Sequence, residues 1–347
     1  MKIAKTISNT IKSITDKKAT IKALECVLID ATQKELTATD LDIMAVVSGI
    51  PITGNGKMLV NGYALQKIVA TTKKTLEMSV TDKGLKVISD GDEYTVDSGL
   101  SPDNFPVMTA SPEITTTLKN VPLVIFNTVC ASSTEETRYY LKGVFLETEG
   151  GIFRTVATDG HRLAMREMAV TMTGKALTMD DSVIVPRKTV HALQTIFAGQ
   201  IDINIAGSKA IFATGNVTII SKLIDLRFPD YRRVIPSGHD VTIDIDGKEL
   251  ARILGKKGVV EVKGVEMFGG ATGYWVRLDG DKSMLEKKMS EVPSKIFKIR
   301  FNASYMEDII ADMANKSFKA HISETHSPIK IESSDEGSMY VLMPIRV

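Results

Sequence analysis

The sequence repeats itself weakly at a spacing of about 115–120 residues, and this repeat limits the chain to an architecture of similar units. The triplet Ala-Thr-Asp occurs at residues 38–40 and again at 157–159, which is 119 residues later. A Phe-Pro pair at 105–106 recurs 123 residues on at 228–229, and Pro344 follows Pro229 by 115 residues. Each match alone is at chance level, but the agreement of the three spacings predicts three similar domains. We place them at residues 1–112, 113–237 and 238–347.

Each predicted domain combines helical and strand patterns. In the first, Ala4, Ile7, Ile11 and Ile14 recur at helical spacing, and Asn61 is a suitable cap for a second helix. Further helical patterns are found at 122–132, 186–198, 247–257 and 301–314. The runs between them alternate apolar and polar residues as strands do, and such sheets need one face covered by helices. The sequence therefore predicts an α+β fold, with each domain built from two helices and β-sheet.

Composition excludes several classes of protein. The 347 residues are 43% apolar and 24% charged, as is ordinary for globular domains. No stretch approaches the roughly 18 unbroken apolar residues of a membrane helix, and the polar N-terminal residues are unlike a signal peptide. Cys26 and Cys130 stand in apolar runs, which favours buried thiols in a reduced cytoplasmic protein. The five histidines show no metal-binding spacing, so we expect no metal and no cofactor.

The stretch 155–166, T-V-A-T-D-G-H-R-L-A-M-R, is the most informative local feature. Asp159-Gly160 is typical of a turn between two apolar runs, so the stretch predicts a hairpin or bent strand with a polar, basic tip. Three interpretations compete. The tip is a solvated turn, or Asp159 orients His161 as a catalytic base, or His161 and Arg162 form the polar rim of an apolar recognition pocket.

An enzymatic role finds little support in the sequence. The chain lacks the phosphate-binding loop G-x-x-x-x-G-K-[ST], the G-x-S-x-G elbow and the H-E-x-x-H zinc motif. The acid pairs Asp40/Asp42 and Asp90/Asp92 stand in turn or strand-end contexts, where solvated carboxylates are the simple expectation. No nucleophile, base and orienter come together, so we expect no catalytic residues.

Three long motifs carry a resemblance to a known family. They are A-T-D-G-H-R-L-A at 157–164, F-P-D-Y-R-R-V-I-P at 228–236 and Y-V-L-M-P-I-R at 340–346. In order and spacing, the whole chain resembles the bacterial DNA polymerase sliding clamps, the beta subunit of DNA polymerase III. The resemblance implies a homodimer whose two subunits join head to tail into a six-domain ring, with the helices lining a central hole. It implies a non-enzymatic processivity factor that encircles duplex DNA without reading its sequence. The alternative is a clamp-like partner-binding protein that forms no stable ring.

The resemblance also implies a pocket between the second and third domains. It would accept short linear segments, bearing apolar anchors and a glutamine, from the replicative polymerase, the clamp loader, mismatch-repair proteins and ligase. From the residues alone, Val341, Met343 and Ile345 share one face of a terminal strand and could equally be core. The matching positions on the second-domain side are Leu141, Thr158, Gly160, His161, Arg162, Leu163, Pro229, Arg233 and Val234. Those on the third-domain side are Asn302, Tyr305, Val341, Met343, Pro344, Ile345 and Arg346.

Candidate DNA contacts come from basic helix residues and from the resemblance. Predicted helices carry Lys67, Lys73, Arg187, Lys188, Lys248, Arg252 and Lys256, although solvated helix faces explain such residues equally well. Two helical patterns add no exposed positive charge, and the net charge is only +1, so diffuse attraction to phosphates is expected rather than tight binding. The resemblance adds Lys17, Lys18 and the pair Tyr139-Tyr140. Adjacent residues of a strand point to opposite faces, so we expect one of the two tyrosines in the protein core.

Ring closure implies an interface between unlike domains of two subunits. Ile253 and Leu254 match the family's apolar interface pair, while their helical spacing fits a core position equally well.

Overall fold

The computed structural model describes residues 2–16, 18–109, 113–260, 262–270, 272–280, 283–289, 293, 295–314, 316–323, 327–333 and 337–345. Within it the chain forms two compact units. Unit 1 comprises Met1–Leu123, Val170–Ala176 and Val185–Asp225. Unit 2 comprises Val124–Ala169, Leu177–Ile184 and Leu226–Val347.

In the described residues, short runs of strands are separated by helices. The α-helices are α1 Lys2–Ile14, α2 Gly62–Thr71, α3 Arg187–Ile196, α4 Gly247–Leu254, α5 Lys257–Val260 and α6 Ala303–Asp312. The 3-10 helices are Lys22–Glu25, Pro102–Asn104, Leu123–Ala131, Glu136–Leu141 and Tyr231–Val234. The first strands are β1 Cys26–Asp30, β2 Glu35–Thr39, β3 Ile43–Ser48, β4 Ile52–Thr53, β5 Lys57–Asn61, β6 Leu76–Thr81, β7 Gly84–Ser89, β8 Asp92–Val96, β9 Thr116–Pro122, β10 Gly143–Glu149, β11 Ile152–Thr158, β12 Arg162–Ala169 and β13 Thr171–Gly174. The remaining strands are β14 Val183–Pro186, β15 Gln200–Ala206, β16 Lys209–Thr214, β17 Val217–Lys222, β18 Val241–Ile245, β19 Val262–Gly270, β20 Gly273–Gly280, β21 Met284–Met289, β22 Phe297–Phe301, β23 Phe318–Ile322, β24 Ile329–Ser333 and β25 Ser338–Leu342.

Each unit contains one large sheet that is built in the same way. In unit 1 the strand order is β13-β9-β15-β16-β17-β3-β2-β1-β5, and in unit 2 it is β14-β10-β11-β12-β25-β24-β23-β18. Both sheets have at their centre two three-stranded meanders whose last strands pair antiparallel, and the remaining strands, β13, β9 and β5 in unit 1 and β14 and β18 in unit 2, lie outside them. Val47 of β3 lies opposite Val217 of β17, and Leu163 of β12 lies opposite Val341 of β25. Each unit also has a four-stranded sheet, β4-β6-β7-β8 in unit 1 and β21-β20-β19-β22 in unit 2.

Helix α1 forms where the apolar spacing predicts it. Ala4, Ile7, Ile11 and Ile14 are buried, and α1 packs against both α2 and α3. Asn61 caps α2 as predicted, because its side chain accepts a hydrogen bond from the Ala64 N–H at 2.9 Å. The α+β class is confirmed.

Two predicted elements differ from the structure. The pattern at 122–132 forms a 3-10 helix over Leu123–Ala131 rather than an α-helix. Tyr139 and Tyr140 lie in the 3-10 helix Glu136–Leu141, not on a strand. Their side chains are 51% and 37% exposed, so the expectation that one of them lies in the core is wrong. Tertiary packing decides between these helix types, and local sequence patterns do not report it.

In the part of the chain that the structure describes, no helix is long and apolar enough to cross a membrane. Among the same residues, no group of three or more His, Cys, Asp or Glu side chains is placed to hold a metal ion.

Candidate peptide-binding site

The turn between β11 and β12 is held by its own side chains. Asp159 Oδ1 accepts hydrogen bonds from the main-chain N–H groups of His161 at 2.9 Å and Arg162 at 3.0 Å. Thr158 Oγ1 donates to the Arg162 carbonyl at 2.6 Å and accepts from the Gly160 N–H at 3.1 Å. Gly160 has φ +89°, which favours glycine, and Arg138 Nη1 would lie 2.9 Å from an added Cβ. The predicted hairpin with a polar tip is thus present and rigidly built.

Arg162 and His161 both pack on Tyr305, which projects from helix α6. The Arg162 guanidinium lies 4.4 Å from the Tyr305 ring centroid, and the His161 ring stacks on the same tyrosine at 6.2 Å. Arg162 also pairs with Asp159 at 3.1 Å and with Asp308 at 2.7 Å. Burial lowers the pKa of Arg162, but the Asp308 hydrogen bond and the Asp159 charge outweigh it and raise that pKa above its usual value. The guanidinium is therefore a fixed cation between the turn and α6.

Residues 343–345, which follow β25, contact this turn and strand β22. The Met343 N–H donates to the His161 carbonyl at 2.9 Å, and the Ile345 N–H donates to the Arg300 carbonyl at 2.8 Å. Strand β25 ends at Leu342, so residues 343–345 are not the continuous strand that alternation predicts. Met343, Pro344 and Ile345 are half-buried and keep apolar surface free. Arg346 lies outside the described residues.

A buried polar network ties α6 to β12 and β25 beneath this surface. Arg166 Nη2 lies 2.8 Å from Asp312 Oδ1, and the Tyr340 hydroxyl donates to Asp312 Oδ2 at 2.5 Å. Burial is the main reason why the pKa of Tyr340 is raised. Removing one partner of such a buried pair typically costs about 3–5 kcal/mol, because the other charge is left uncompensated. The network fixes α6, and with it Tyr305, relative to the turn.

The segment that contains F-P-D-Y-R-R-V is anchored by a carboxylate that sequence reasoning missed. Glu147 on β10 accepts from the Tyr231 hydroxyl at 2.7 Å and from Arg232 Nη2 at 2.6 Å. Glu147 is buried, and its hydrogen-bonding partners, which lie 84 and 85 residues away, together with Arg154 at 3.8 Å compensate its charge. Pro229, Arg233 and Val234 on this segment are exposed.

The structure therefore brings together most of the predicted pocket residues within unit 2. Thr158, His161, Arg162, Tyr305 and Met343 form one contiguous cluster through the contacts above. Leu163, Val341 and Leu141 are buried and can serve only as floor. Asn302 caps α6 by accepting from the Ser304 N–H at 2.9 Å. Asp308, Asp312 and Arg138 join the cluster although sequence reasoning did not select them.

The catalytic interpretation of the turn requires Asp159 to orient the His161 ring, and Asp159 makes other contacts. Asp159 accepts from the main chain of His161 rather than from its ring, and its second oxygen contacts Arg162 at 3.1 Å. The imidazole stacks on Tyr305 instead. This geometry is that of a turn closed by an aspartate side chain and not that of an acid–base dyad.

Most of the candidate DNA contacts of unit 1 are exposed, and they differ in their local partners. Lys18 and Lys73 are exposed, and Lys67 Nζ lies 4.5 Å from the Tyr63 ring centroid. Lys188 forms an ion pair with Asp40. Arg187 is half-buried, and Lys17 lies outside the described residues.

In unit 2, Lys248 and Lys256 are exposed on and just after α4. Arg252 forms a two-pronged pair with Glu249, both distances being 2.8 Å. Ile253 and Leu254 on the same helix are fully buried within unit 2. Their burial fits the core position that the helical spacing allows, and their contact with a second subunit stays a prediction.

Comparisons with known proteins agree with this architecture. Family models for the DNA polymerase III beta subunit match its N-terminal domain over residues 1–109 and its central domain over residues 115–230. The "Beta sliding clamp" of Caulobacter vibrioides is 30% identical, and the match covers 97% of this chain and 96% of that protein. The clamp of Staphylococcus aureus is 27% identical over 98% of this chain and 96% of its own length.

Two solved structures extend the comparison to three dimensions. A DnaN sliding clamp from Bartonella birtlesii bound to griselimycin is 27% identical, with a TM-score of 0.84 and 98% of this chain and 97% of that chain covered. The C. crescentus clamp, with polyethylene glycol bound to a putative beta-motif tethering region, is 28% identical with a TM-score of 0.82, covering 98% and 96% of the two chains. On the sequence match over nearly its whole length, the chain belongs to the bacterial β sliding clamps, the beta subunit of DNA polymerase III.

Proposed function

We propose that this chain is a DNA sliding clamp whose two subunits close into a ring around duplex DNA and tether the replicative polymerase and other DNA-processing proteins. The observation that carries the proposal is the cluster of His161, Arg162, Tyr305 and Met343, in which a rigid polar turn borders half-buried apolar side chains. Such a surface suits a short linear segment with apolar anchors. The relatives named sliding clamps support this function.

The proposed pocket consists of the cluster, its buried floor and the exposed residues Pro229, Arg233 and Val234. It has no catalytic role, and its partners are the polymerase, the clamp loader and repair proteins. Met343 suits a pocket with many partners, because an unbranched thioether adapts to different shapes. We place the activity in the cytoplasm, where bacterial replication proceeds.

We further propose that the repeated unit of the ring is the domain, at residues 1–112, 113–237 and 238–347. The family models support these limits, since they match 1–109 and 115–230. The paired meanders support them as well, because each large sheet joins a three-stranded meander of one proposed domain to a three-stranded meander of the next.

Contact with DNA is proposed to be diffuse and independent of sequence. A ring that slides needs weak phosphate attraction without base contacts. The ion pairs Lys188–Asp40 and Arg252–Glu249 partly neutralise two of the candidate cations. This weakens the attraction to phosphates, as sliding requires. The exposed candidates remain Lys18, Lys67, Lys73, Tyr139, Tyr140, Lys248 and Lys256.

The ring is tested by light scattering across a dilution series. One subunit has a mass of 37.9 kDa, so a closed two-subunit ring should give about 76 kDa. A stable value near this mass, together with retention on circular DNA and loss from linearised DNA, supports topological tethering. A persistent mass near one subunit contradicts the ring and favours a clamp-like protein that only binds partners.

The pocket is tested by replacing residues 343–346 with alanine. We expect this variant to keep the mass of the unchanged protein and its retention on circular DNA, while it no longer stimulates a polymerase. Full stimulation by the variant would overturn the assignment of the pocket.

A further inference from the structure

A groove rich in arginine lies along the segment that contributes Pro229 and Arg233 to the proposed pocket. The groove has a volume of about 630 Å³, within the range of sites that hold small ligands or a few side chains. We call it the arginine groove, and its lining residues are Met179, Arg227, Phe228, Pro229, Asp230, Arg232 and Arg233. This lining contains three arginines and one carboxylate, and two further carboxylates, Asp180 and Glu147, pair with arginines from outside it.

Two of the three arginines are available to a ligand. Arg232 is held by the buried Glu147 at 2.6 Å and is part of the framework. The side chains of Arg227 and Arg233 are 77% and 82% exposed. They pair with exposed carboxylates, Arg227 with Asp180 at 3.2 Å and Arg233 with Asp230 at 2.9 Å. Exposed pairs contribute only about 0–1 kcal/mol, so an incoming carboxylate can exchange with them at little cost.

The floor of the groove is apolar and fixed in shape. Phe228 is buried and stacks on Phe145 with ring centroids 5.0 Å apart and planes 9° apart. Its N–H donates to Ser182 Oγ at 2.7 Å. The groove floor beneath the arginine side chains is therefore already ordered before a ligand binds.

The groove lies close to the turn of the proposed pocket. Phe145, whose ring stacks on Phe228, is paired with Val156 in the β10–β11 register. Thr158 follows Val156 by two residues, which is about 7 Å along a strand. A peptide seated beside the turn can thus continue directly over residues 227–233.

We propose that the arginine groove binds acidic side chains of the partner segment that occupies the pocket, at positions adjacent to its apolar anchors. The inference rests on the proposed function and adds a charge preference to it. A carboxylate can engage the planar guanidinium of Arg227 through two hydrogen bonds. DNA phosphate is the less suitable ligand, because the buried Phe228 gives the groove an apolar floor, which suits a peptide segment with apolar side chains better than a sugar-phosphate backbone.

The test uses the full chain and two fluorescent peptides that share one apolar, glutamine-containing core. One carries three acidic residues beside the core, and its twin carries the corresponding amides. At about 50 mM salt we expect the acidic peptide to bind about threefold more tightly, and the advantage to vanish at high salt. Arg227→Gln should bring the ratio close to one without weakening the amide twin. Asp180→Asn should increase the ratio, because it removes the competing carboxylate.

Lys298→Gln is the matched control, since it removes an exposed cation paired with Glu266 on the small sheet of unit 2 and should leave the ratio unchanged. Equal binding of both peptides to the unchanged protein overturns the inference alone and leaves the pocket intact. Binding of neither peptide overturns the pocket and the inference together. Loss of retention on DNA in Arg227→Gln, with the peptide ratio unchanged, would make the groove a phosphate site and also overturn the proposal.

Discussion

Tyr305 is the residue on which the turn and helix α6 meet, because it contacts both His161 and Arg162 through its ring. We predict that Tyr305→Phe keeps peptide affinity within about twofold, since the stacking faces remain. Tyr305→Ala should weaken binding about tenfold, as expected for an aromatic anchor. Fluorescence anisotropy with a labelled peptide measures both. Equal losses in the two variants would show that the hydroxyl group, not the ring, carries the contact.

Cys130 gives the protein a measurable alkaline sensitivity. Burial raises the pKa of its thiol to about 12, from an unperturbed value near 9. A group whose pKa is raised by folding stabilises the folded state fully below the unfolded pKa and loses this contribution as pH rises toward the folded value. We therefore predict that the free energy of unfolding falls by about 1 kcal/mol more between pH 7 and pH 9.5 in the unchanged protein than in Cys130→Ala.

Denaturant titrations at both pH values measure this difference. The pKa of Cys26 is also raised by burial, but Cys26 is present in both proteins, so its contribution cancels. Parallel pH dependences would contradict the assignment of the extra slope to Cys130.

At the residue scale, the turn was predictable and its supporting charges were not. Asp159, Gly160 and Thr158 form contacts within four residues, so local turn chemistry identifies them. Glu147 is different, because its partners Tyr231 and Arg232 come from a segment far along the chain. Nothing near Glu147 in the sequence distinguishes it from a solvated acid.

At the scale of elements, the cap of helix α6 positions part of the pocket. The Asn302 side chain accepts from the N–H groups of Ser304 and Tyr305 at 2.9 and 3.4 Å. We predict that Asn302→Ala lowers the free energy of unfolding by about 1 kcal/mol and weakens peptide binding about threefold, because Tyr305 lies in the first turn.

Asn61→Ala is the matched control, since Asn61 caps α2 of unit 1 in the same way. It should cost a similar amount of stability and leave peptide affinity unchanged. If both variants weaken the peptide equally, the effect is a general loss of stability and not a local one.

The type of an element, helix or strand, was predictable where the apolar residues repeated at a regular spacing over a long stretch. Helix α1 was predictable because four apolar residues share one face over thirteen residues. Tyr139-Tyr140 was placed wrongly, since a short run rich in aromatics fits a strand by composition. In the structure the run forms a 3-10 helix. Leu141 is the buried residue of that helix, and Tyr139 and Tyr140 are exposed.

At the scale of the whole molecule, surface ion pairs should set the attraction to DNA. Asp40 pairs with Lys188, and its other oxygen accepts main-chain N–H groups of Asp42 and Ile43. Asp40→Asn keeps an oxygen acceptor for these bonds and releases Lys188. We predict about twofold tighter binding to short linear duplex DNA at low salt, an advantage that disappears at high salt.

Asp30→Asn is the matched control for that measurement. Asp30 also pairs with a lysine, Lys57, and also accepts a main-chain N–H, from Gln33 at 3.0 Å. Equal gains from both substitutions would mean that net charge alone matters and that Lys188 has no special position.

The repeat in the sequence indicated how many similar pieces to expect, but not how their strands are shared. The pairing of Val47 with Val217 joins strands from the first and second predicted domains in one sheet. Such partners are 170 residues apart, and no pattern of apolar residues specifies which edge strand meets which.

This arrangement restricts how the protein can be divided. The chain passes between the two units after residues 123, 169, 176, 184 and 225. Neither unit is therefore encoded by one uninterrupted stretch of the gene, and an N-terminal fragment that stops within residues 113–216 leaves both large sheets with missing strands. Truncated forms made for crystallography or screening should keep the middle stretch whole, and a protease that cuts within it would damage both halves of the molecule at once.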